Sequence, residues 1–234
     1  MKLPVPLIRG RLVRRYKRFL ADVELDNGDR VTAHCANTGS MMGMNTPGLT
    51  VWLSKHDNPR RKLAYSWELV EIEGGLVGIN TAYPNRIAAE AVAAGLIGEL
   101  ADYTRISREV PYGQSSRIDL LLQRQPGACC YVEVKNVNLC RKSGLAEFPD
   151  AVTARGLKHL QELSRVVKKG GRAVMLFVVQ RQDCHHFALA GDIDPAYKSG
   201  FEAARAQGVE ALCYACRLTT EEIILSHPLE MVDE

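Results

Sequence analysis

Aromatic residues are scarce, 6% of 234, and only two of them are tryptophan. Nowhere does the chain carry the run of about 18 apolar residues that a membrane-crossing helix needs. The opening MKLPVPLIRGRLVRRYKRF is basic but lacks the apolar heart of a secretory signal, so a soluble, cytoplasmic protein with no membrane partner is expected. Seven cysteines make an odd number, scattered at Cys35, Cys129, Cys130, Cys140, Cys184, Cys213 and Cys216, which argues against a disulfide framework and suits reduced thiols. Cys213-Tyr-Ala-Cys216 has no second CxxC, and residues three apart on a strand face opposite ways, which excludes zinc there. Asp183-Cys184-His185-His186 gathers ligand types without a spaced partner and reads as the end of a strand. Glycine-rich nucleotide loops, Ser-His-Asp patterns, internal repeats and low-complexity tracts are also missing, so ATP use and covalent hydrolysis have no support.

Acid is missing from the start of the chain. Lys2, Arg9, Arg11, Arg14, Arg15, Lys17 and Arg18 all precede the first carboxylate, Asp22. Up to Tyr83 there are 12 basic and 8 acidic residues, which leaves 18 and 19 of the chain's 30 and 27 for the rest. Such a skew is expected of a surface that meets phosphates, and a solvated basic edge strand gives the same count.

What is present divides into two halves. From Leu7 to Asn80 short strand-like runs alternate with turns (LIRGRLVRRY, FLADVEL, RVTAHC, LTVWLS, WELVEIE, LVGIN), with turns at Asp26–Asp29 and Gly74-Gly75. About five strands at this spacing predict a small closed barrel of the OB kind. Arg14, Arg15, Lys17 and Arg18, with Arg60-Arg61-Lys62, supply a basic groove for it. Tyr16, Phe19, Trp52, Tyr65 and Trp67 read either as stacking platforms or as barrel core. In HCANTGSM, the donors of His34, Asn37, Thr38 and Ser40 fit a phosphate-meeting loop as well as a plain turn.

After Tyr83-Pro84 helix and strand patterns alternate. Asn85 reads as the cap of a helix through RIAAEAVAAG, with Gly95 as its stop. ISREV, RIDLLLQ and CCYVEVKNV read as strands, the last two joined through Pro126-Gly127. AVTARGLKHLQELSRVVKKGG is amphipathic, with Leu157, Leu160, Leu163 and Val167 on one stripe. GRAVMLFVVQ, a helix through AYKSGFEAARAQG and a strand VEALCYACRL complete an α/β layer. Arg155, Lys158 and His159 share one side of the long helix, as a solvated face or as a phosphate clamp. Gly156 within that helix points to a close approach by another backbone or by nucleic acid.

The strand RIDLLLQ puts Asp119 among leucines, and YVEVKN puts Glu133 and Lys135 between valines. Residues two apart share a face, so Glu133 and Lys135 emerge together, and hairpin pairing brings Asp119 beside Glu133. Two adjacent carboxylates repel unless a cation lies between them, and an all-oxygen site suits Mg²⁺ or Mn²⁺. Lys135 is then placed to orient a water and stabilise charge on phosphorus, and Glu90 of the preceding helix offers a further metal ligand. Taken alone, an acid followed by E-V-K also fits a solvated cross-strand salt bridge.

This spacing resembles the PD-(D/E)XK nuclease superfamily, with Ile118 where the literal proline would stand. A closer resemblance, running nearly the whole chain, is to the sugar fermentation stimulation protein A family. Its blocks are RYKRFLADV at 15–23, HCANTGSM at 34–41, NTAYPNRIAAEA at 80–91, YGQSSRID at 112–119, YVEVKNV at 131–137 and FPDAVTARGLKHLQEL at 148–163. The resemblance implies an OB-like barrel over residues 1–82 and a PD-(D/E)XK nuclease-like domain over 83–234. It also implies DNA binding with little sequence preference, linked to control of sugar (maltose) metabolism genes, with Glu90, Asp119, Glu133 and Lys135 as the centre. Three readings follow: an Mg²⁺- or Mn²⁺-dependent nuclease on duplex or single-stranded DNA, a regulator that binds DNA without cutting, and a protein directed at RNA.

Overall fold

The computed structural model describes residues 1–72, 75–113, 116–124 and 127–233. Six strands make up the first half: β1 (Ile8–Tyr16), β2 (Leu20–Leu25), β3 (Arg30–Cys35), β4 (Thr50–Lys55), β5 (Tyr65–Ile72) and β6 (Gly75–Gly78). Alternation along these strands turns Leu12, Ala21, Val23, Ala33, Cys35, Val51, Leu53 and Trp67 inward. A sheet with one apolar face buries it by closing on itself. Strand β1 pairs antiparallel with β2 and β4, β2 with β3, and β4 with β5, and a parallel pairing of β3 with β5 completes the circuit. The result is a closed five-stranded OB-like barrel, with β6 added on β5 as a sixth strand. Trp67 settles its ambiguity as core: it is fully buried and its indole N–H donates to the Leu69 carbonyl at 2.9 Å.

The second half opens with helix α1 (Pro84–Ala93), whose cap residue is Tyr83 rather than the expected Asn85. Asn85 falls in the first turn and its side chain is used elsewhere. Gly95, at φ +69, stops the helix as expected. Then come β7 (Arg105–Tyr112), β8 (Ser116–Arg124), β9 (Ala128–Val137), β10 (Leu139–Lys142), β11 (Gly144–Phe148) and α2 (Ala154–Lys168). After these lie β12 (Arg172–Val179), β13 (Cys184–Leu189), α3 (Pro195–Ala206), β14 (Glu210–Leu218), β15 (Ile223–Pro228) and β16 (Glu230–Met231). Pro126 of the expected Pro126-Gly127 turn, Gly74, and Gln114-Ser115 of one family block lie outside the described residues.

A mixed sheet of order β15-β14-β12-β9-β8-β7 forms the spine. Its central strand, β12, is parallel to both neighbours and buried along nearly its whole length, which is why it reads as a continuous apolar run. Helix α1 covers one face through Ile87, Ala88, Ala91 and Val92; α2 and α3 cover the other through Leu160, Leu163, Tyr197 and Phe201. Each of the larger aliphatic side chains among them, fully buried, contributes about 1.5–3 kcal/mol relative to exposure. Cys213 and Cys216 fall in cores on opposite sides of this sheet. A smaller sheet, β10-β11-β13-β16, flanks it. Met1 and Leu3, although they precede the barrel, pack into the core around α1, and Leu69 of the barrel joins them. A buried polar link reinforces the junction: Glu68 of β5 accepts from Ser54 at 2.6 Å and from Asn80, just before α1, at 2.8 Å. No helix among the described residues is long and apolar enough to cross a membrane.

Candidate functional site

Strands β8 and β9 pair as a hairpin up to Leu120↔Val132, and the next step would set Asp119 against Glu133. There the ladder stops. Instead of a strand carbonyl, the Asp119 carboxylate accepts the Val134 amide, at 2.7 Å, so the strands splay where the two acids face each other. The other Asp119 oxygen accepts from the Asn85 side chain at 2.7 Å, which is what that helix residue does instead of capping. Burial, joined by the charge of Glu133, pushes the Asp119 carboxyl up to about 6 against the pull of the Val134 amide.

Glu133 is buried, its side chain only 3% exposed. One oxygen, Oε1, accepts from Lys135 Nζ at 2.7 Å and contacts His159 Nδ1. The other, Oε2, is buried without a hydrogen-bond partner among the described residues. Burial pushes the Glu133 carboxyl up, but the His159 hydrogen bond and the Lys135 charge outweigh it and hold the group below the ordinary glutamate value. An ionised buried oxygen left without a donor carries a desolvation cost that a hard cation would remove. The donor set, oxygen from Asp119 and Glu133, therefore fits Mg²⁺, Mn²⁺ or Ca²⁺.

Glu90 does not reach this centre. It is ion-paired with the Met1 amino group at 2.9 Å and with Arg86 at 2.8 Å, so its negative charge is spent tying the chain start to α1. Three residues beyond the sequence expectation gather instead. Glu109, on β7 at a left-handed φ of +53, accepts from the same Asn85 amide at 3.2 Å. A non-glycine residue held in that region marks a place where the surroundings override local preference. Glu162 of α2 is buried and bonded to Arg165 at 2.7 Å. The third, Tyr112, has a buried hydroxyl without a partner among the described residues and a phenol pushed up by burial and by the charges of Glu133, Glu162 and Asp119.

The chain matches the profile described as the SfsA N-terminal OB domain over residues 13–79 and that of the sugar fermentation stimulation protein RE domain over 82–222. It is 56% identical to a sugar fermentation stimulation protein homolog of Paramagnetospirillum magneticum over 99% of this chain and 98% of that one. A homolog from Rhodospirillum centenum is 57% identical over 99% of both. The chain belongs to the sugar fermentation stimulation protein family. Among solved structures, Pyrococcus furiosus SfsA in complex with Ca²⁺ superposes with a TM-score of 0.88 at 26% identity, covering 99% of this chain and 98% of that one. As in that family's domain plan, an OB-like barrel precedes the RE domain, here a mixed α/β unit.

In this family member the residues expected to meet nucleic acid divide sharply. Arg15 is half-buried: its guanidinium donates to the carbonyls of Arg18, Asn37 and Gly39 at 2.9–3.0 Å. Arg18 donates to the Thr38 carbonyl at 2.9 Å, and Arg14 pairs with Asp22 at 2.8 Å over the ring of Tyr16. The loop expected to offer its amides has spent them, Gly39 N–H on the Asn37 side chain and Ser40 N–H on Asp150. Asn37 is buried; Thr38, Ser40 and His34 are exposed. Lys17, Arg60 and Lys62 are exposed too, while Arg61 donates to Ser66 at 2.8 Å. Pairings Leu20↔His34, His34↔Ser66 and Ser54↔Ser66 place the β1–β2 loop (Lys17–Phe19) and the β4–β5 loop (Arg60–Lys62) at one end of the barrel, with His34 between. Phe19 there is 47% exposed.

On α2 the expected trio splits: Arg155 and Lys158 are exposed, whereas His159 is buried against Glu133 and is therefore no outer phosphate clamp. The crowding at Gly156 comes from the Thr153 side chain, 2.8 and 2.9 Å from where an added Cβ would stand, and from the ring of Tyr197 at 3.0 Å. A cavity of about 830 Å³ extends from Tyr112 and Glu162 between β9 and the end of α2, lined by Tyr131, Arg124, Lys169 and Arg172. The Tyr112 and Tyr131 rings lie 5.9 Å apart at its wall.

Proposed function

We propose that this chain is a nuclease of little sequence specificity that hydrolyses phosphodiester bonds in DNA with Mg²⁺ or Mn²⁺, in a setting tied to sugar metabolism by its family. The observation that carries the reading is the buried Glu133 Oε2, without a partner among the described residues, on the strand next to Asp119, with Lys135 on the same strand face. Asp119 and Glu133 would hold the metal, which when bound supplies Lewis-acid polarisation and a more acidic water. The relative from Pyrococcus furiosus was solved with Ca²⁺, a hard cation of the same preference.

The chain's own residues divide the remaining work. Lys135 Nζ, fixed on Glu133 and 3.5 Å from His159 Nδ1, is the group that orients water and meets charge developing on phosphorus. Asn85 and the Val134 amide hold the Asp119 oxygens in place. Residues 1–82 grip the substrate through the exposed cations of the β1–β2 and β4–β5 loops, the ligand face typical of OB barrels, and residues 83–234 act on it. The cavity beside Tyr112 and Tyr131 offers aromatic and cationic walls to a strand leaving the centre.

The second reading, occupancy of DNA without cleavage, draws on Glu90: with that carboxylate bound to Met1 and Arg86, the centre lacks one of the three acids that the sequence pattern assigned to it. Plasmid nicking by the purified parent, Lys135→Ala and Asp119→Asn with Mg²⁺, Mn²⁺ or EDTA separates the two, run beside labelled duplex, single-stranded DNA and RNA. Metal-dependent nicking in the parent, lowered about a thousandfold in Lys135→Ala with binding kept, supports the nuclease. A parent that binds but cuts no substrate under any metal establishes the regulator.

A further inference from the structure

Two cysteines that no spacing rule connects meet at the seam between the domains. Cys140 stands on β10 and Cys184 opens β13, strands that flank β11 in the small sheet. Their sulfurs and a carboxylate oxygen of Asp183 all lie within 4.8 Å of one another. Cys140 is half-buried and reachable; Cys184 is buried, 2% exposed. Arg181, itself 4% exposed, forks onto both oxygens of Asp183 at 2.9 and 2.7 Å and donates to the Asn138 carbonyl at 2.8 Å.

This surrounding decides between two chemistries. Thiolates and a carboxylate are ligand types for a soft dication, but a buried guanidinium stands beside them and already engages both carboxylate oxygens. A fixed positive charge repels a dication and favours a thiolate anion. The contact with Cys184, with Arg181 nearby, brings the Cys140 thiol down to about 7 against burial and the charge of Asp183, while that same contact and burial push Cys184 up. The arrangement is a half-buried attacking sulfur with a buried resolving sulfur beside it.

We infer that Cys140 and Cys184 are a redox modification site, in which a hydroperoxide oxidises Cys140 and Cys184 resolves it to an intramolecular disulfide. The Cys140 sulfur attacks the terminal peroxide oxygen, the O–O bond breaks, and the departing hydroxide takes a proton to leave water and a sulfenic acid. The Cys184 thiol gives up its proton and its sulfur attacks the Cys140 sulfur. An S–S bond forms, the S–O bond breaks, and the hydroxide released takes that proton as a second water. Two thiols and one hydrogen peroxide thus yield one disulfide and two waters.

The position gives the modification something to act on. The segment just before Cys184 is where the barrel docks: Gly78 N–H donates to the Gln180 carbonyl at 2.9 Å, and Val77 bridges to Arg181. On the other side, Asn138, two residues before Cys140, donates to the Gly78 carbonyl at 2.5 Å. A disulfide would cross-link the two segments that hold β6.

The test uses the reduced full chain with stoichiometric hydrogen peroxide, read by thiol titration in denaturant, intact mass and a non-reducing peptide map. The expected product has two thiols fewer than the seven of the reduced chain, a mass lower by two hydrogens and a Cys140–Cys184 peptide. Cys184→Ser should stop at a sulfenic acid on Cys140 that dimedone traps, and Cys140→Ser should lose the fast reaction while folding normally, since that side chain is half-exposed. Cys140 should react about tenfold faster than Cys129, the other half-buried thiol. Equal or faster oxidation of Cys129, or disulfides only between chains, would overturn the assignment. So would stoichiometric binding of Zn²⁺ alone that shields Cys140 and Cys184 from alkylation, which would make the pair a metal site.

Discussion

The barrel and the nuclease-like domain use buried or half-buried charge in opposite ways. In the barrel, Arg15 and Arg18 give their donors to the carbonyls of the 37–39 loop, and Glu68 accepts from Ser54 and Asn80. Those contacts hold shape, and of these groups only Arg15 Nε is buried without a partner among the described residues. In the second domain Asp119 and Glu133 face each other across splayed strands, one with a raised carboxyl, the other with an oxygen lacking a partner. An abundance of charge in the sequence thus proved a weaker guide to chemistry than an incomplete set of partners. Within the basic chain start, Arg15 and Arg18 are bound to loop carbonyls, whereas Lys17 stays exposed.

The hardest blow to this contrast is aimed at the acids. Glu133→Gln and Asp119→Asn should each lower Mg²⁺ or Mn²⁺ affinity by about a hundredfold or more in calorimetry while the circular dichroism spectrum stays that of the parent. Unchanged metal affinity in both variants would end the assignment. Neutralised variants should also hold DNA at least as tightly, because less negative charge meets the phosphates.

A pH series sharpens it next. Without metal, folded Asp119 keeps its proton up to about 6, above its ordinary 3.8, so the folded state binds the extra proton between those values. Stability from this group is therefore fully present below the ordinary value and lost as pH rises through about 6, by up to about 3 kcal/mol. Glu133, held low, works in the reverse sense and in a separate window: its contribution is present above the ordinary glutamate range and lost as pH falls through its lowered value. Bound divalent metal takes the place of the Asp119 proton, so metal affinity should climb as pH rises through about 6. Urea midpoints in EDTA, with Asp119→Asn as control, check the stability slope; calorimetry across the same range checks the affinity.

On the barrel side, Arg15→Ala should cost about 2 kcal/mol in urea unfolding, because it strips a half-buried carbonyl cluster of its donor. Arg14→Ala, which removes an exposed ion pair, should leave the midpoint nearly where it was. Equal effects would mean that the two arginines play the same part.

Much of this was legible in the sequence because it follows from periods. Barrel strands alternate, and Glu133 and Lys135 share a face because they are two apart. Hairpin pairing then carries Asp119 to Glu133 from fourteen positions away. What stayed illegible depends on rotation or on distant partners. Glu90 lies five residues beyond Asn85, a turn and a half of helix, so when Asn85 points to Asp119 Glu90 points away, toward an amino group at the far end of the chain. Spacing alone put His159 with Arg155 and Lys158; tertiary packing draws the boundary of burial between 158 and 159. His159 and Glu162, polar residues on the packed face of an otherwise regular helix, were the available sign of a site beneath it. Nothing in the letters around Glu109 announces its left-handed backbone, and no spacing rule joins Cys140 to Cys184.

The smallest expected effect bears most directly on which region meets the phosphates. Lys17 and Arg60 are exposed at one end of the barrel, on the loops that OB barrels use for ligands. If each neutralises one phosphate, Lys17→Gln and Arg60→Gln should each lower the slope of log affinity against log salt by about one, without altering metal binding or the urea midpoint. The effects should add, because the loops approach the strand independently. Lys169→Gln is the matching probe in the second domain, where the cavity beside Tyr112 and Tyr131 would guide a strand away from the acids. A slope that falls in all three variants places the nucleic acid across both domains. A slope that moves only with Lys169 would confine binding to the nuclease-like domain and leave the barrel as scaffold, because counterion release counts only phosphates that are touched.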